Sequence, residues 1–341
     1  MPSKSLLPRL VAGLAALAFA TGALAAPIGD TSAPKPKQIV LISFDGAHDL
    51  NQWQRSRDLA MRTGARFTYF LSCVFLLTRE TKGIYKAPAG TGRSNVGFAM
   101  SKDEVAARLQ QIRFAAAEGH DVGSHGCGHF DGGKWSKADW MQEFSAFSTI
   151  VHDAYTINGL GPAPSDCQAI ADHAAHGGFR APYLSATKAL DAALRDNGTI
   201  YNASGVSQGP AAPVDDKGLY QFALPMIPEG PSERRIIAMD YNLYVRHSGG
   251  MERPSQAAMF EDRTYRAFHD AFQAQYDGQR VPLQLGFHFT LMNDGAYWRA
   301  LERFAGEVCT RADVACISYA DYVALRKGSP ATAHESTKPN G

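Results

Sequence analysis

One segment of this 341-residue chain, Gln38-Ile-Val-Leu-Ile-Ser-Phe-Asp-Gly46, gives the clearest indication of its fold. Its first seven residues are mostly apolar and β-branched, which is typical of a strand buried on both faces. An acidic residue, Asp45, follows at once. A helix is then predicted over 51–63, with Gly64 as its C-cap. A buried strand followed by a helix is the repeating unit of a parallel α/β fold.

The same alternation continues along the chain and predicts parallel strands with helices outside them, in an open sheet or a barrel. One domain with long insertions, such as the Gly-rich and Pro-containing loop over 79–99, fits better than two domains. Further strands are predicted over 66–71, 120–124, 178–181, 199–203, 221–226, 236–240, 283–288 and 314–318. Further helices are predicted over 101–118, 136–157, 187–197, 255–276, 294–304 and 320–326.

The composition is that of a globular protein without a strongly charged surface. Hydrophobic residues make up 45% of the chain, and 34 Lys and Arg against 33 Asp and Glu give a formal charge of +1. A nucleic-acid binder needs a basic surface, and binding to an anionic membrane surface usually needs a polybasic segment. We therefore expect neither of these partners. The oligomeric state stays open.

Both ends are predicted to lie outside the folded domain. Residues 1–26 match a secretory signal peptide, with Lys4 and Arg9, a short apolar run and Ala23-Leu-Ala25 as the cleavage site. The apolar run is short for the alternative, a membrane anchor. A linker over 27–37, a domain over 38–326 and a disordered tail over 327–341 follow. We expect an exported protein, periplasmic or secreted.

Export to an oxidising compartment favours disulfides among the five cysteines. Cys309 and Cys316 are close in sequence and are predicted to pair. The pairing of Cys73, Cys127 and Cys167 stays open, since one thiol must be left over. Cys127 stands between two histidines, but we favour a disulfide or a buried thiol over a metal ligand.

Polar residues collect where the predicted strands end, which is where active sites form in such folds. His125 and His129 follow one strand end at a spacing of four, which lets two imidazoles converge on one metal ion. A second pair, His173 and His176, has no strand before it and is predicted to lie in a solvated loop. The first pair therefore predicts a metal site, with carboxylates at another strand end.

In this order, the segments resemble the polysaccharide deacetylase family, also called carbohydrate esterase family 4 or the NodB-homology fold. Its motifs match Ser43-Phe-Asp-Gly46, Ser124-His-Gly-Cys-Gly-His129, Arg180-Ala-Pro-Tyr183 and Leu285-Gly-Phe-His288. The resemblance spans about 38–325. It implies a distorted (β/α) barrel of seven or eight strands.

The resemblance also implies a role for each matching residue. Asp45 corresponds to the catalytic base and His288 to the general acid. Arg180 would hold Asp45 in its ionised form through a charge-assisted pair. Pro182 and Tyr183 correspond to the substrate-binding motif, and the Tyr183 backbone N–H would stabilise the oxyanion. His125 and His129 would bind one divalent metal, expected to be zinc, with cobalt or nickel as alternatives.

Two departures from the family pattern bear on the metal site and on the acid. Gly46 stands where the family has a second Asp, the usual third metal ligand. Asp49 is predicted to replace it, and its alternative role is the N-cap of the following helix. Phe289 follows His288 where Asp is common. Asp240 is therefore the predicted partner of His288, with Asn242 and Asp294 as alternatives.

The predicted function is metal-dependent removal of acetyl groups from an N-acetylated or O-acetylated polysaccharide outside the cytoplasm. Because Gly46 weakens the expected metal site, one alternative is a metal-free glycan-binding protein of the same fold. Another is an amidohydrolase that acts on a small non-sugar amide.

Overall fold

A computed structural model describes residues 35–328. The predicted signal peptide at 1–26 lies outside the described residues, as do most of the linker at 27–37 and of the tail at 327–341. None of the described helices is long and apolar enough to cross a membrane.

Strands and helices alternate along the described range, as the sequence predicts. The strands are β1 (Gln38–Gly46), β2 (Thr68–Leu71), β3 (Lys86–Ala87), β4 (Gly90–Thr91), β5 (Asp121–Ser124), β6 (Gly178–Phe179), β7 (Tyr201–Ser207), β8 (Val214–Asp216), β9 (Leu219–Ile227), β10 (Ile236–Ile237), β11 (Leu283–His288) and β12 (Val314–Cys316). The helices are α1 (Leu50–Thr63), α2 (Lys102–Ala117), α3 (Lys137–Ile157), α4 (Cys167–His176), α5 (Lys188–Asp196), α6 (Asp240–Ser248), α7 (Ala257–Asp277), α8 (Met292–Val308) and α9 (Tyr319–Arg326).

One curled sheet carries the fold. Its main path runs β10-β9-β7-β6-β5-β2-β1-β11, with β12 on β1 and β8 on β9, while β3 and β4 form a separate hairpin. All neighbours on this path are parallel except β10 and β9. A bridge between Met239 and Gly286 of β11 brings the two ends of the path together. The sheet is thus a distorted barrel with eight strands on its main path, as predicted.

The alternation of side chains along β1 divides the molecule into an outer and an inner layer. Phe44 points to the outer layer, where its ring stacks on those of Tyr69 and Trp298 at 5.4 and 5.1 Å between centroids. Leu41 packs inside the barrel, in one cluster with Tyr201 and other aromatic side chains. Asp45 lies on the same side as Leu41, so β1 delivers its carboxylate to the inner face at the strand end.

Two helices lie where none was predicted. The solvated loop expected around His173 and His176 is wrong, because both residues belong to α4. This segment is rich in alanine, the strongest helix former, and His173 Nε2 pairs with Asp121 Oδ1 at 2.8 Å. The strand predicted over 236–240 ends at Ile237, because Asp240 already opens α6.

Candidate active site

A cleft of about 710 Å³ opens at the ends of β1, β5 and β11. Ends of parallel strands meet at one face of a barrel, so residues far apart in sequence are brought together there. Three sequence-predicted histidines, His125, His129 and His288, line this cleft together with Asp45 and Tyr183. Other lining residues are Asn95, Val96, Ala181, Leu184, Ile237, Met239, Tyr241, Asn242, Tyr244, Glu252, Thr290 and Met292.

Asp45 and His288 are register partners on the adjacent parallel strands β1 and β11. Neighbouring strands lie about 4.8 Å apart, and partners in register project to the same face of a sheet. Strand pairing therefore sets the carboxylate and the imidazole side by side in the cleft. No loop conformation is needed to bring them together.

Arg180 holds the Asp45 carboxylate. Its Nη1 donates to Asp45 Oδ1 at 2.8 Å and to Ser43 Oγ at 2.7 Å, and the two charged side chains are buried. Burial by itself would raise the pKa of Asp45. The charge of Arg180, together with His125 and His288, outweighs burial and lowers that pKa below its usual value. Asp45 is therefore ionised at neutral pH, with one oxygen fixed by Arg180.

The Arg180 guanidinium is itself fixed by groups that the sequence did not single out. Nε donates to the Ala203 carbonyl at 3.0 Å, and Nη2 donates to the Tyr319 hydroxyl at 3.0 Å. Residues of β1, β7 and α9 thus orient the buried Arg180 guanidinium. Ala203 lies within β7 and Tyr319 is the first residue of α9, and neither position reveals a partner in the sequence.

His288 and Asp240 form a second pair. Asp240 Oδ1 accepts a hydrogen bond from His288 Nδ1 at 2.7 Å, and its Oδ2 accepts from the His288 backbone N–H at 2.8 Å. Burial would lower the pKa of His288, but the Asp240 carboxylate overrides it and the net shift is upward. Asp240, rather than Asn242 or Asp294, is thus the residue that is hydrogen-bonded to His288.

His125 and His129 face each other at the end of β5, with ring centroids 5.2 Å apart. His125 Nδ1 lies 2.8 Å from the Arg180 carbonyl, which can only accept, so Nδ1 carries the proton and Nε2 is left as an acceptor. Burial lowers the pKa of His125 to about 3 and also lowers that of His129. Both rings are therefore neutral at pH 7, the form that binds a metal.

A disulfide and a buried carboxylate hold the loop between these two histidines. Cys127 is bonded to Cys73, which confirms the disulfide alternative for Cys127 and leaves Cys167 free. Glu143 Oε1 accepts from the Cys127 N–H at 2.6 Å, and its Oε2 accepts from the Tyr85 hydroxyl at 2.8 Å. The predicted bond between Cys309 and Cys316 is also formed, away from the cleft.

Asp49 does not complete the predicted metal site. Its Oδ1 accepts from the Gln52 N–H at 2.9 Å as the N-cap of α1, and it does not line the cleft. No group of three His, Cys, Asp or Glu side chains within 35–328 is placed to hold a metal. The ligand set of His125, His129 and Asp49 is therefore wrong, and the capping alternative is the one that the structure shows.

The donor chemistry fits a divalent metal in part. Two neutral imidazoles converge in a cleft that also contains an ionised carboxylate, Asp45, but the residues that the structure describes provide no third ligand beside them. Gly46, where that ligand stands in the family, has φ +83°, and a Cβ added there would meet no atom within 4 Å. The described site thus offers His125 and His129 as ligands and would leave the other positions to water.

The third motif divides into a buried and an exposed part. Tyr183 is 61% exposed, lines the cleft and lies 5.1 Å from the His129 ring between centroids. Its backbone is left-handed, with φ 58°, a strained conformation for a bulky residue. Pro182 is buried and does not line the cleft, so its predicted contact with substrate stays a prediction. Pro182 instead opens the short turn that presents Tyr183.

Comparison with solved structures agrees with this fold. A candidate polysaccharide deacetylase from Mycobacterium smegmatis matches with a TM-score of 0.53 at 17% identity, over 91% of this chain and 97% of that one. This chain shares its fold. The resemblance predicted from the motifs is thereby confirmed as a likeness of fold.

Two further structures match less closely. A candidate polysaccharide deacetylase from Pseudomonas aeruginosa has a TM-score of 0.49 at 14% identity, over 85% of this chain and 92% of that one. A family 4 pseudoenzyme from Bacillus anthracis has a TM-score of 0.45 at 10% identity, over 84% and 66%. No protein-family profile and no curated protein matches the sequence.

Proposed function

We propose that this protein is a metal-dependent hydrolase that removes acetyl groups from an N-acetylated or O-acetylated polysaccharide outside the cytoplasm. One observation carries the proposal: Asp45 and His288 are register partners whose pKa values are shifted in opposite directions. An ionised base beside a protonated acid is the arrangement that hydrolysis of an amide or ester requires. The predicted signal peptide supports a site of action outside the cytoplasm.

Asp45 would act as the general base on the attacking water. Its Oδ1 is bound by Arg180, which keeps the carboxylate ionised and leaves Oδ2 to accept the proton. The water oxygen would add to the acetyl carbonyl carbon, and the resulting oxyanion would need a donor. The backbone N–H of Tyr183 is the predicted donor, since Tyr183 lines the same cleft.

His288 would act as the general acid on the leaving group. Its Nδ1 is held by Asp240, so Nε2 carries the proton that can be transferred to the sugar nitrogen or oxygen. When the bond to the acetyl carbon breaks, the leaving atom keeps the electron pair and takes this proton. Acetate and an amine or a hydroxyl are the products.

His125 and His129 would hold the metal, for which zinc, cobalt and nickel are the candidates. When bound, such an ion polarises the acetyl carbonyl and lowers the pKa of water. The fixed Nδ1 proton of His125 and the lowered pKa of both histidines suit them to this role.

One observation favours a second candidate, a glycan-binding protein without a metal. The described site lacks a third protein ligand, and catalytic zinc sites usually have three. In that case, the cleft would bind the glycan without cleaving it.

Acetate release tests the proposal. The full-length protein is incubated with an N-acetylglucosamine tetramer, peptidoglycan, acetylated xylan and a small cyclic amide, and acetate or ring opening is measured with and without a chelator. We expect acetate from at least one glycan, loss of release on chelation and recovery on adding zinc, cobalt or nickel. Turnover of the cyclic amide alone would mean that the substrate is a small amide and not a polysaccharide. No turnover and no metal uptake would favour the binding protein.

A further inference from the structure

Glu252 brings an unpaired negative charge to the cleft. It lies in the loop after α6, is exposed and lines the same cleft as His288. Its Oε2 accepts a hydrogen bond from the Asn293 N–H at 2.7 Å. Within 35–328, no Lys, Arg or His forms an ion pair with it. The Glu252 carboxylate is therefore available to a bound cation.

The group that holds Glu252 is fixed by an unusual turn. Asn293, Asp294 and Gly295 are consecutive left-handed residues, with φ of 49°, 54° and 72°. Asn293 is fully buried, and its Oδ1 accepts from the Arg253 N–H at 2.7 Å while its Nδ2 donates to the Tyr297 hydroxyl at 3.1 Å. Such strain persists only where the surroundings hold it. The donor to Glu252 is therefore set in place before any ligand binds.

The other charges of the cleft are already compensated. Asp45 is paired with Arg180, and His288 is paired with Asp240. His125 donates through Nδ1 to the Arg180 carbonyl, and His129 faces it in the part of the cleft that is proposed to hold the metal. Glu252 is thus the charged group of the described cleft that lacks a counter-ion, and a positively charged ligand group would supply one.

We propose that Glu252 is a positioning residue that binds the ammonium group of an amino sugar next to the acetylated sugar. This inference rests on the proposed function. Hydrolysis of an N-acetyl group breaks the bond between the acetyl carbon and nitrogen, and the nitrogen keeps the electron pair and gains protons. At neutral pH, the product is an ammonium group. A partly deacetylated chain therefore carries the cation that Glu252 lacks, and such chains are the preferred substrates.

The test compares two tetramers, one of N-acetylglucosamine throughout and one in which a single residue is glucosamine. We expect a kcat/KM about three- to tenfold higher on the amine-bearing tetramer, the range of a partly exposed charge-assisted pair. Glu252→Gln keeps an acceptor for the Asn293 N–H but removes the charge, so the preference should disappear and should do so mainly through KM.

Asp294→Asn is the matched control. Asp294 is exposed, adjoins Asn293, does not line the cleft and loses the same charge on substitution. Asparagine also tolerates the left-handed backbone. This variant should retain the preference for the amine-bearing tetramer. Equal kcat/KM on both tetramers in the wild type, or an unchanged preference in Glu252→Gln, would overturn the inference.

Calorimetric binding of a glucosamine tetramer separates this inference from the proposed function. We expect binding that weakens at high salt and weakens about three- to tenfold in Glu252→Gln. If this holds while no substrate is turned over, the amine site stands and the hydrolase proposal fails. If acetate is released but Glu252→Gln binds the glucosamine tetramer as the wild type does, the hydrolase stands and the amine site is refuted.

Discussion

Asp45 and His288 illustrate how little distinguishes a base from an acid in this cleft. The Asp45 side chain is buried and that of His288 is partly buried, and each is fixed by one partner of opposite charge. Arg180 stabilises the ionised form of Asp45, whereas Asp240 stabilises the protonated form of His288. The partners, rather than the burial, set the direction of each pKa shift.

The pH dependence of the reaction should therefore respond to Asp240. The pKa of His288 is raised, so the protonated imidazole is retained to higher pH than in an ordinary histidine and is lost as the pH rises through the raised pKa. Asp240→Asn removes the charge that raises it. We expect the basic limb of the kcat/KM profile to move to lower pH.

The control for this shift is Asp294→Asn, which should leave the basic limb in place, because Asp294 makes no hydrogen bond to His288. The free energy of unfolding of each variant is measured alongside. A basic limb that does not move in folded Asp240→Asn would assign the acid to another group.

Substitution of Gly46 tests whether the metal site lacks a third ligand at this position. A side chain added there would meet no atom within 4 Å, although φ +83° disfavours most residues. Aspartate is among the residues that tolerate this region best. Gly46→Asp should raise zinc affinity by at least about tenfold, the lower end of what even supporting residues of metal sites contribute.

Gly46→Ala carries the backbone cost of Gly46→Asp without the carboxylate and is its matched control. Zinc titration by calorimetry should separate the two variants. Equal zinc affinity in both would mean that residue 46 does not face the metal.

At the N-terminus of α1, Asp49 caps the helix instead of serving as the predicted metal ligand. Asp49 caps this helix, and a cap of this kind contributes about 1 kcal/mol. Asp49→Ala should lower the free energy of unfolding by about 1 kcal/mol in urea denaturation and leave zinc affinity unchanged. A sharp loss of zinc affinity in this variant would show that Asp49 is a metal ligand after all.

The loop after β5 depends on a covalent link for its position. The Cys73–Cys127 disulfide closes a sequence separation of 54, which corresponds to about 4 kcal/mol in the chain-entropy description. The double variant Cys73→Ala, Cys127→Ala should lose both stability and zinc affinity, because Cys127 lies between His125 and His129.

The Cys309–Cys316 disulfide is the matched control for that variant. It spans a separation of 7, corresponds to about 2 kcal/mol in the same description and lies away from the cleft. Its removal should lower stability and leave zinc affinity unchanged. Equal loss of zinc affinity in both double variants would show that the link to the metal loop is not specific.

For the molecule as a whole, the residues predicted best are those at the ends of central strands. Asp45, His125 and His288 come together because parallel strands must end at one face of the barrel, so a polar residue after an apolar run has its place set by topology. Asp240 is the partner that the sequence predicts for His288, but the structure was needed to exclude the alternatives Asn242 and Asp294.

Other features could not be predicted, for reasons that differ. Glu252 lies in an irregular loop, where no periodicity points to a cleft. The pair of His173 and Asp121 joins α4 to a distant strand, which the sequence alone does not reveal. Asp49 was placed in the site by its nearness to Gly46 and Pro182 by its motif position, whereas Asp49 caps α1 and Pro182 packs in a turn.

The most direct test of the central claim is the rate of acetate release in Asp45→Asn. Asparagine can still accept the hydrogen bond from Arg180, so the fold and zinc binding should persist, as judged by circular dichroism and calorimetry. Because the variant lacks the base, kcat should fall by about 10²- to 10⁴-fold, the usual contribution of general acid–base catalysis. A rate near that of the wild type would show that Asp45 is not the base and would contradict the proposed mechanism.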